Sequence, residues 1–243
     1  MKLLNFGSKV ARNLKISLSP TSFFTYPRDL HQHHILSYSQ EGEDRVLARY
    51  FGDRNNGFYV DVGAHHPQRF SNTYYFYLRG WRGINIDAMP GSMGIFNKMR
   101  PEDTNLEVAI SNVEQELTYY EFNELALNGF SKELAKERDG LRDYRIVATH
   151  AIKTRQISEI LDEHLPVNQE IDFLSVDVEG LDLEVLQSNN WDKYRPQLIL
   201  AESLSTNSIE DLSESDICRY ITSKGYRLVS KLFYTTIFSR LDE

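Results

Sequence analysis

The sequence contains one cysteine, Cys218. No intramolecular disulfide can form, and no zinc site can be built from cysteines. That scarcity suits a reducing compartment. Cys218 lies in a helix-like stretch with no partner that would make it a nucleophile, so it reads as a small packing residue. Long apolar runs are missing too. No segment approaches the roughly 18 consecutive apolar residues a spanning helix needs. The stretch "MKLLNFGSKVARNLKISLSPTSFF" is basic but lacks the unbroken apolar centre of about 7–15 residues that a secretory leader carries. A cytoplasmic protein without a transmembrane segment is the expectation. Positive charge is also in short supply. Lys and Arg number 27 against 35 Asp and Glu, for a formal net charge of −8 and a pI of about 5.4. Non-specific nucleic-acid binders have the opposite balance, so nucleic acid is not an expected partner.

What is present supports a proper core: 41% of the 243 residues are hydrophobic and 12% aromatic. One α/β domain with an appendage fits that length best. Residues 1–36 form the appendage. In it Lys2, Lys9, Arg12 and Lys15 alternate with Leu3, Leu4, Phe6, Val10 and Leu14. The plainer reading is a loosely docked arm. The sharper one is a basic amphipathic helix touching a membrane surface, weakened by Gly7, Ser8 and Asn13. His31, His33 and His34 lie here and read as a solvated linker rather than a metal tract.

The domain, residues 37–243, opens at "SYSQEGEDRVLARYF". Ser39 is the expected N-cap, and Val46, Leu47, Tyr50 and Phe51 fall at helical spacing. Strand and helix patterns then alternate: "GFYVDVGA", "SNTYYFYLRGW", "GINIDA", "GSMGIFNKMR" up to Pro101, "TNLEVAIS". After an interruption come "ISEILDEHL", "IDFLSVDV", "LDLEVLQSN", "PQLILAES" and a single helix over "DLSESDICRYITSKGY". The alternation predicts a mostly parallel central sheet with helices on both faces. "RLVSKLFY" and "TTIFSR" predict a C-terminal antiparallel hairpin. The interruption, about residues 113–153, holds strand candidates "ELTYYEF" and "YRIVATHAIK" around a polar stretch, 124–143, with no clear assignment. Such an insertion often forms a lid or substrate loop.

In open α/β sheets, ligands bind at the carboxyl ends of strands where the strand order reverses. Asp61, Asp87, Asp177, Glu179 and Glu202 all fall at predicted strand ends. Gly63 would let a ligand approach the backbone closely. Asp87 ends the second strand, where an acid accepts from ribose hydroxyls. The loop lacks the remaining glycines of GxGxxG, which a dinucleotide's pyrophosphate needs. Asp61 beside the loop would repel phosphates and suit a cation. An adenosine cofactor with positive charge and no phosphate is S-adenosylmethionine. The plainer reading of each acid is a cap or a solvated loop residue. For Asp182 and Glu184 the helix dipole is sufficient reason.

"YSQEGEDRVL", "GFYVDVGAHHPQRFSNTYYFYLRGWRGINIDAMP", "RPEDTNLEVAIS", "ALNGFSKELA" and "IDFLSVDVEGLDLEVLQSNNWDKYRPQLILAE" resemble, in this order, the FkbM family of S-adenosylmethionine-dependent methyltransferases. The likeness runs from about residue 38 to the C-terminus. It implies a Rossmann-like class I methyltransferase fold. It also implies that Asp61, Gly63 and Ala64 of "VDVGA" cradle the methionine end of the cofactor. Asp87, with Ala88 after it, takes the ribose position, where the family more often has glutamate. Asp177, Glu179 and Gly180 of "VDVEG" fall near the reacting end. The family mainly O-methylates hydroxyls of sugars and natural products, so a small-molecule or glycan acceptor is implied.

Transfer to a hydroxyl calls for a proton acceptor, and histidine is the natural one. His65 and His66 follow the cofactor loop directly. One of them as base, one as a turn cap with the other stacked in the loop, and a metal site with Asp177 and Glu179 are three readings of the pair. Adjacent histidines rarely aim at one ion, so no metal is expected. His150 reads as a cross-strand surface residue. Gln40 and Asp44 lie on the cofactor side or in a capped surface helix. Ser111 is a candidate near the adenine. Asn128 and Ser131 fall where the acceptor would bind, and Tyr119, Tyr120, Phe122 and Phe130 could wall a sugar ring or pack in a half-buried strand. N- or carboxyl-methylation of a small molecule, and a cofactor-binding module without turnover, are the alternatives.

Overall fold

A computed structural model describes residues 35–203 and 209–241. Most of the expected arm, with His31, His33 and His34, lies outside the described residues. From Ser37 onward the chain forms one compact unit.

Its centre is a seven-stranded sheet in the order β3-β2-β1-β7-β8-β10-β9. The strands are β1 (Phe58–Val62), β2 (Arg82–Asp87), β3 (Thr104–Glu107), β7 (Phe173–Val176), β8 (Leu198–Glu202), β9 (Tyr226–Lys231) and β10 (Thr235–Arg240). β1 pairs in parallel with both β2 and β7, and β8 pairs in parallel with β7. β10 is antiparallel to β8 and β9, as the hairpin pattern predicts. This is the class I methyltransferase fold. Chain order runs outward from β1 to β3 on one side and from β7 to β8 on the other, so the order reverses between β1 and β7. That gap is the ligand crevice of such sheets.

Successive side chains of a strand face opposite ways. Val60, Val62, Leu174, Val176 and Ile199 therefore join one core with Ile157, Val185, Leu186 and Ile221, contributed by α5 (Ile157–His164), α6 (Asp182–Gln187) and α8 (Asp216–Ser223). Tyr59, Phe173, Leu198 and Leu200 join the other with Leu47 and Phe51 of α1 (Glu43–Phe51), Phe76 of α2 (Tyr74–Leu78) and Trp81. Burial on both faces explains why these strands read as nearly continuous apolar runs. Cys218 packs in the first core, as its sequence setting suggests.

Several local expectations need correction. α1 begins at Glu43 with Gly42 as its N-cap; Ser39 lies ahead of it, though its Oγ still accepts from the Asp44 amide at 3.2 Å. "TNLEVAIS" is two strands in different sheets, because β4 (Ala109–Ile110) leaves the central sheet to pair with β6 (Ile146–Arg155). The single helix expected before Gly225 is broken into α7 (Ile209–Leu212) and α8, where Ser215 caps α8 by accepting from the Cys218 amide. The insertion folds as β5 (Glu116–Phe122), antiparallel to β6, a 3-10 turn at Leu125–Leu127 and α4 (Lys132–Arg138). Ser131 caps α4 by accepting from the Leu134 amide. α3 (Met93–Met99) completes the helices.

Candidate active site

A cleft of about 330 Å³ opens at the carboxyl ends of β1, β2 and β7, with the insertion as its facing wall. Gly63 turns the chain out of β1 at φ +81°, and a Cβ there would lie 1.7 Å from the Asp177 carbonyl oxygen. Only glycine fits that approach. The Gly63 and Ala64 amides donate to the Ile86 carbonyl at 2.9 and 3.0 Å, which fastens the loop to the end of β2.

Asp87 sits at that end and is 8% exposed. Its two oxygens accept from the His65 and Met89 amides, both at 2.8 Å. Each oxygen keeps lone-pair capacity toward the cleft. Burial pushes its carboxyl above the usual range despite those bonds.

At the end of β7, Asp177 faces the cleft and is open to its solvent while enclosed by its walls. Its carboxylate and those of Asp182 and Glu202 each place an oxygen within 4.8 Å of one another. Burial comes first in raising all three. The Asp182 and Glu179 charges raise Asp177 further, and the Asp177 charge adds to Glu202. Glu202 is pushed up to about 10 and Asp182 to about 7, the latter held back by amide donors at Val178 and Gly180. Glu179 has φ +53° and pairs with Arg138 of α4 at 2.8 Å. Burial raises its carboxyl and Arg138 opposes the rise.

Of the residues singled out in the sequence, Gln40, Gly63, His65, Asp87, Ala88, Asp177 and Glu179 line this cleft, as do Tyr119, Asn128, Phe130 and Glu202. Asp61, Ala64, His66 and Ser111 stand outside its lining. Asp61 shares the face of Tyr59 by strand alternation. It accepts from Thr73 Oγ1 at 2.9 Å, and the fully buried Arg100 donates to the same hydroxyl at 2.9 Å and pairs with Asp103 at 2.8 Å. Ala64 packs on Met93 and Phe96. Ser111 is fully buried. Asp44 is fully buried too, accepting from Ser37 Oγ and the Tyr38 amide, so it is an anchor of the entry segment rather than a cleft residue.

The two histidines divide. His66 Nδ1 accepts from the Gln68 and Arg69 amides at 3.0 Å each, which is a turn cap. His65, at φ +53°, stacks on Phe70 with centroids 6.3 Å apart. Its Nε2 is buried without a partner, and burial together with Arg69 lowers the ring to about 4. No histidine joins the carboxylate group, so a histidine-and-acid metal site is not built among the described residues. His150 pairs with Glu121 at 2.7 Å across β5 and β6. Tyr120 and Phe122 point away from the cleft that Tyr119 lines, again by alternation. Ser131 serves as the cap of α4.

Sequence reasoning missed Met89, Leu125, Arg138 and Tyr234, which complete the walls. Asn128 Nδ2 donates to Met89 Sδ at 3.2 Å and its Oδ1 accepts from the Phe122 amide at 2.8 Å, which ties the insertion to the loop after Asp87. Leu125 and Arg138 belong to the insertion, Met89 to the loop after Asp87 and Tyr234 to the turn between β9 and β10, and neither residue type nor spacing marks any of them as a site residue. No helix among the described residues is long and apolar enough to cross a membrane.

Residues 61–228 match the family model described as the methyltransferase FkbM domain. No curated protein matches the chain by sequence. Among solved structures, precorrin-6y C5,15-methyltransferase from Geobacter metallireducens is 10% identical over 81% of this chain and 88% of its own, with a TM-score of 0.41. A TehB-like SAM-dependent methyltransferase from Corynebacterium glutamicum is 12% identical, over 88% and 94%, at a TM-score of 0.39. The 1,6-didemethyltoxoflavin-N1-methyltransferase of Burkholderia thailandensis, with bound 1,6-didemethyltoxoflavin and S-adenosylhomocysteine, is 11% identical, over 82% and 77%, at 0.39. Similarity this loose bears on neither substrate nor mechanism.

Proposed function

The chain belongs to the methyltransferase FkbM domain family, and on that premise we propose that it transfers a methyl group from S-adenosylmethionine to a hydroxyl of a sugar, glycoconjugate or natural product. The observation that carries the reading is the join at the β1/β7 switch point. There Gly63 abuts the Asp177 carbonyl where a Cβ would lie 1.7 Å away, and Asp87 opens on the same cleft.

The residues present fit this cofactor. Asp87 would accept from the ribose hydroxyls. Gly63 leaves room for the methionine end. Ala88, Met89, Val108 and Ile110 supply apolar surface for the base. The carboxylates around Asp177 suit a cationic guest and would repel a pyrophosphate. When bound, S-adenosylmethionine supplies a methyl already activated by its sulfonium. The protein's part is to hold the acceptor oxygen in line and take its proton.

Asp177 is our choice of proton acceptor. It faces the cleft, and its surroundings raise its affinity for a proton well above that of an ordinary carboxylate. A base works best when its pKa lies near the working pH. His65 is less suited, being lowered to about 4 with Nε2 buried. His66 spends Nδ1 on two backbone amides. Glu179, held by Arg138, completes the reacting end as an acceptor of substrate hydroxyls. The buried, unpaired Cys218 supports a cytoplasmic setting.

Calorimetric titration with S-adenosylhomocysteine, with NAD as control, tests the cofactor. One site for the homocysteine compound and none for NAD is expected. Asp87→Ala should weaken that binding roughly ten- to hundred-fold, the size of hydrogen bonds to a charged group. Binding of NAD instead, or unchanged affinity in the variant, would remove the basis of the assignment.

A further inference from the structure

The cleft is short of cations. Four carboxylates line it: Asp87, Asp177, Glu179 and Glu202. Among the described residues its lining holds one cation, Arg138, and that is already spent on Glu179 at 2.8 Å. Two further cations lie close by, and both are engaged. Arg69 pairs with Glu124 at 3.1 Å and lies over the Phe70 ring at 4.5 Å. Lys231, within reach of the Glu41 and Glu202 charges, donates to the Phe233 carbonyl at 2.7 Å. Behind the wall, Asp182, Asp61 and Glu43 add further negative potential at Asp177. With Glu202 protonated, Asp87, Asp177 and Glu179 still outnumber Arg138 and the one net positive charge that S-adenosylmethionine brings. The mouth is of a different kind: Phe70, Leu125 and Tyr234 are 41%, 42% and 39% exposed there and offer apolar faces to a ring.

We infer that the acceptor enters this cleft without negative charge, and that an amine-bearing sugar ring is preferred over a neutral one and a phosphorylated one is rejected. This rests on reading the cleft as the methyl-transfer site. The physical cause is simple. Asp87, Glu179 and Glu202 are buried or half-buried while Asp177 is open to the cleft, and an incoming phosphate would meet them with no unengaged guanidinium or ammonium among the described lining residues to offset it. An ammonium relieves the same crowding, and sugar hydroxyls can donate to the carboxylates that Arg138 leaves open. Burial and the neighbouring carboxylate charges push Glu202 up to about 10, with Arg138 opposing the rise, and push Asp182 up to about 7, so this wall takes up protons rather than carry its full negative charge.

The test uses the full chain saturated with S-adenosylhomocysteine and three probes that share one ring: D-glucosamine, D-glucose and D-glucose 6-phosphate. Dissociation constants are read by saturation-transfer NMR at low ionic strength. Glucosamine should bind tightest and the phosphate at least tenfold more weakly than glucose. Two variants of opposite sign guard against a merely structural effect. Glu179→Gln, which removes a charge and releases Arg138, should narrow the gap between glucose and its phosphate, and Arg138→Gln should widen it. The inference fails if the phosphate binds as well as glucosamine, if both variants move the gap the same way, or if none of the three is held. Failure of S-adenosylhomocysteine to bind would strike the proposed function instead, and the three sugars would then be ranked on the protein alone.

Discussion

At Gly63 one added carbon would sit 1.7 Å from the Asp177 carbonyl, at a φ of +81° that side chains rarely adopt. Gly63→Ala should therefore part β1 from β7 at the crevice. The expected result is a melting temperature lowered by several degrees, from a cost of at least about 1–2 kcal/mol for the backbone alone, and loss of S-adenosylhomocysteine binding in whatever fraction still folds. A variant that melts and binds like the parent would show that the loop has slack. At this scale the sequence was partly legible. The glycine and the acid of "INIDA" announce themselves, since strand-end position alone brings them to the crevice. Asp61 has the same credentials and faces the other way, into the Thr73 and Arg100 network, because strand alternation sends its side chain to the face of Tyr59. A residue's type and position in a strand say that it is near a site; its parity relative to a core not yet assembled says which way it points.

At the scale of the element, α4 matters most, since it delivers Arg138 to Glu179. Its seven residues cannot sustain a helix alone. Ser131 supports it by accepting from the Leu134 amide. Ser131→Ala should cost about 1 kcal/mol, read as a lower urea midpoint with an unchanged slope, and Ser131→Asp should restore the loss. An unmoved midpoint would mean that packing alone holds α4. The polar stretch 124–143 hid this helix because its one buried residue, Ala135, leaves no apolar stripe to read. The same limit explains two other misreadings. "TNLEVAIS" reads as one strand, yet Val108 carries the chain from the central sheet to the β4-β6 pair. The break between α7 and α8 at Ser213–Ser215 is a capping event inside a sequence that keeps helical periodicity across it.

For the molecule as a whole, the crowded acids link stability to pH. In an unfolded chain Asp182 and Glu202 titrate near about 4, whereas folded they are pushed up to about 7 and about 10. The folded state thus holds protons that the unfolded state releases. Their contribution is full below about pH 4 and is lost as pH rises through the folded values. His65, lowered to about 4, works the opposite way between that value and its ordinary one near 6.5. The clean reading is therefore a difference between proteins. Asp182→Asn should gain melting temperature relative to the parent as pH rises from 4 to 7, with the gain levelling off above. A constant difference across that range would mean that Asp182 titrates like an exposed acid. The deficit of cations on the cleft wall matches the chain's formal net charge of −8, but composition does not say where the deficit lies.

The sequence by itself determined the alternation of strands and helices, the acids and glycine at the strand ends, and the linked motifs that mark the family. These are local properties, written in periodicities of two and 3.6 residues and in motif order. Only the tertiary structure decided which of those acids share a cleft. Asp177, Asp182 and Glu202 meet because β7 and β8 lie side by side with α6 between them in the chain, and Arg138 reaches Glu179 because the insertion folds back over the crevice. Such meetings depend on strand pairing between distant segments. No local pattern carries that information, because the energy that selects a pairing comes from burying both sheet faces at once.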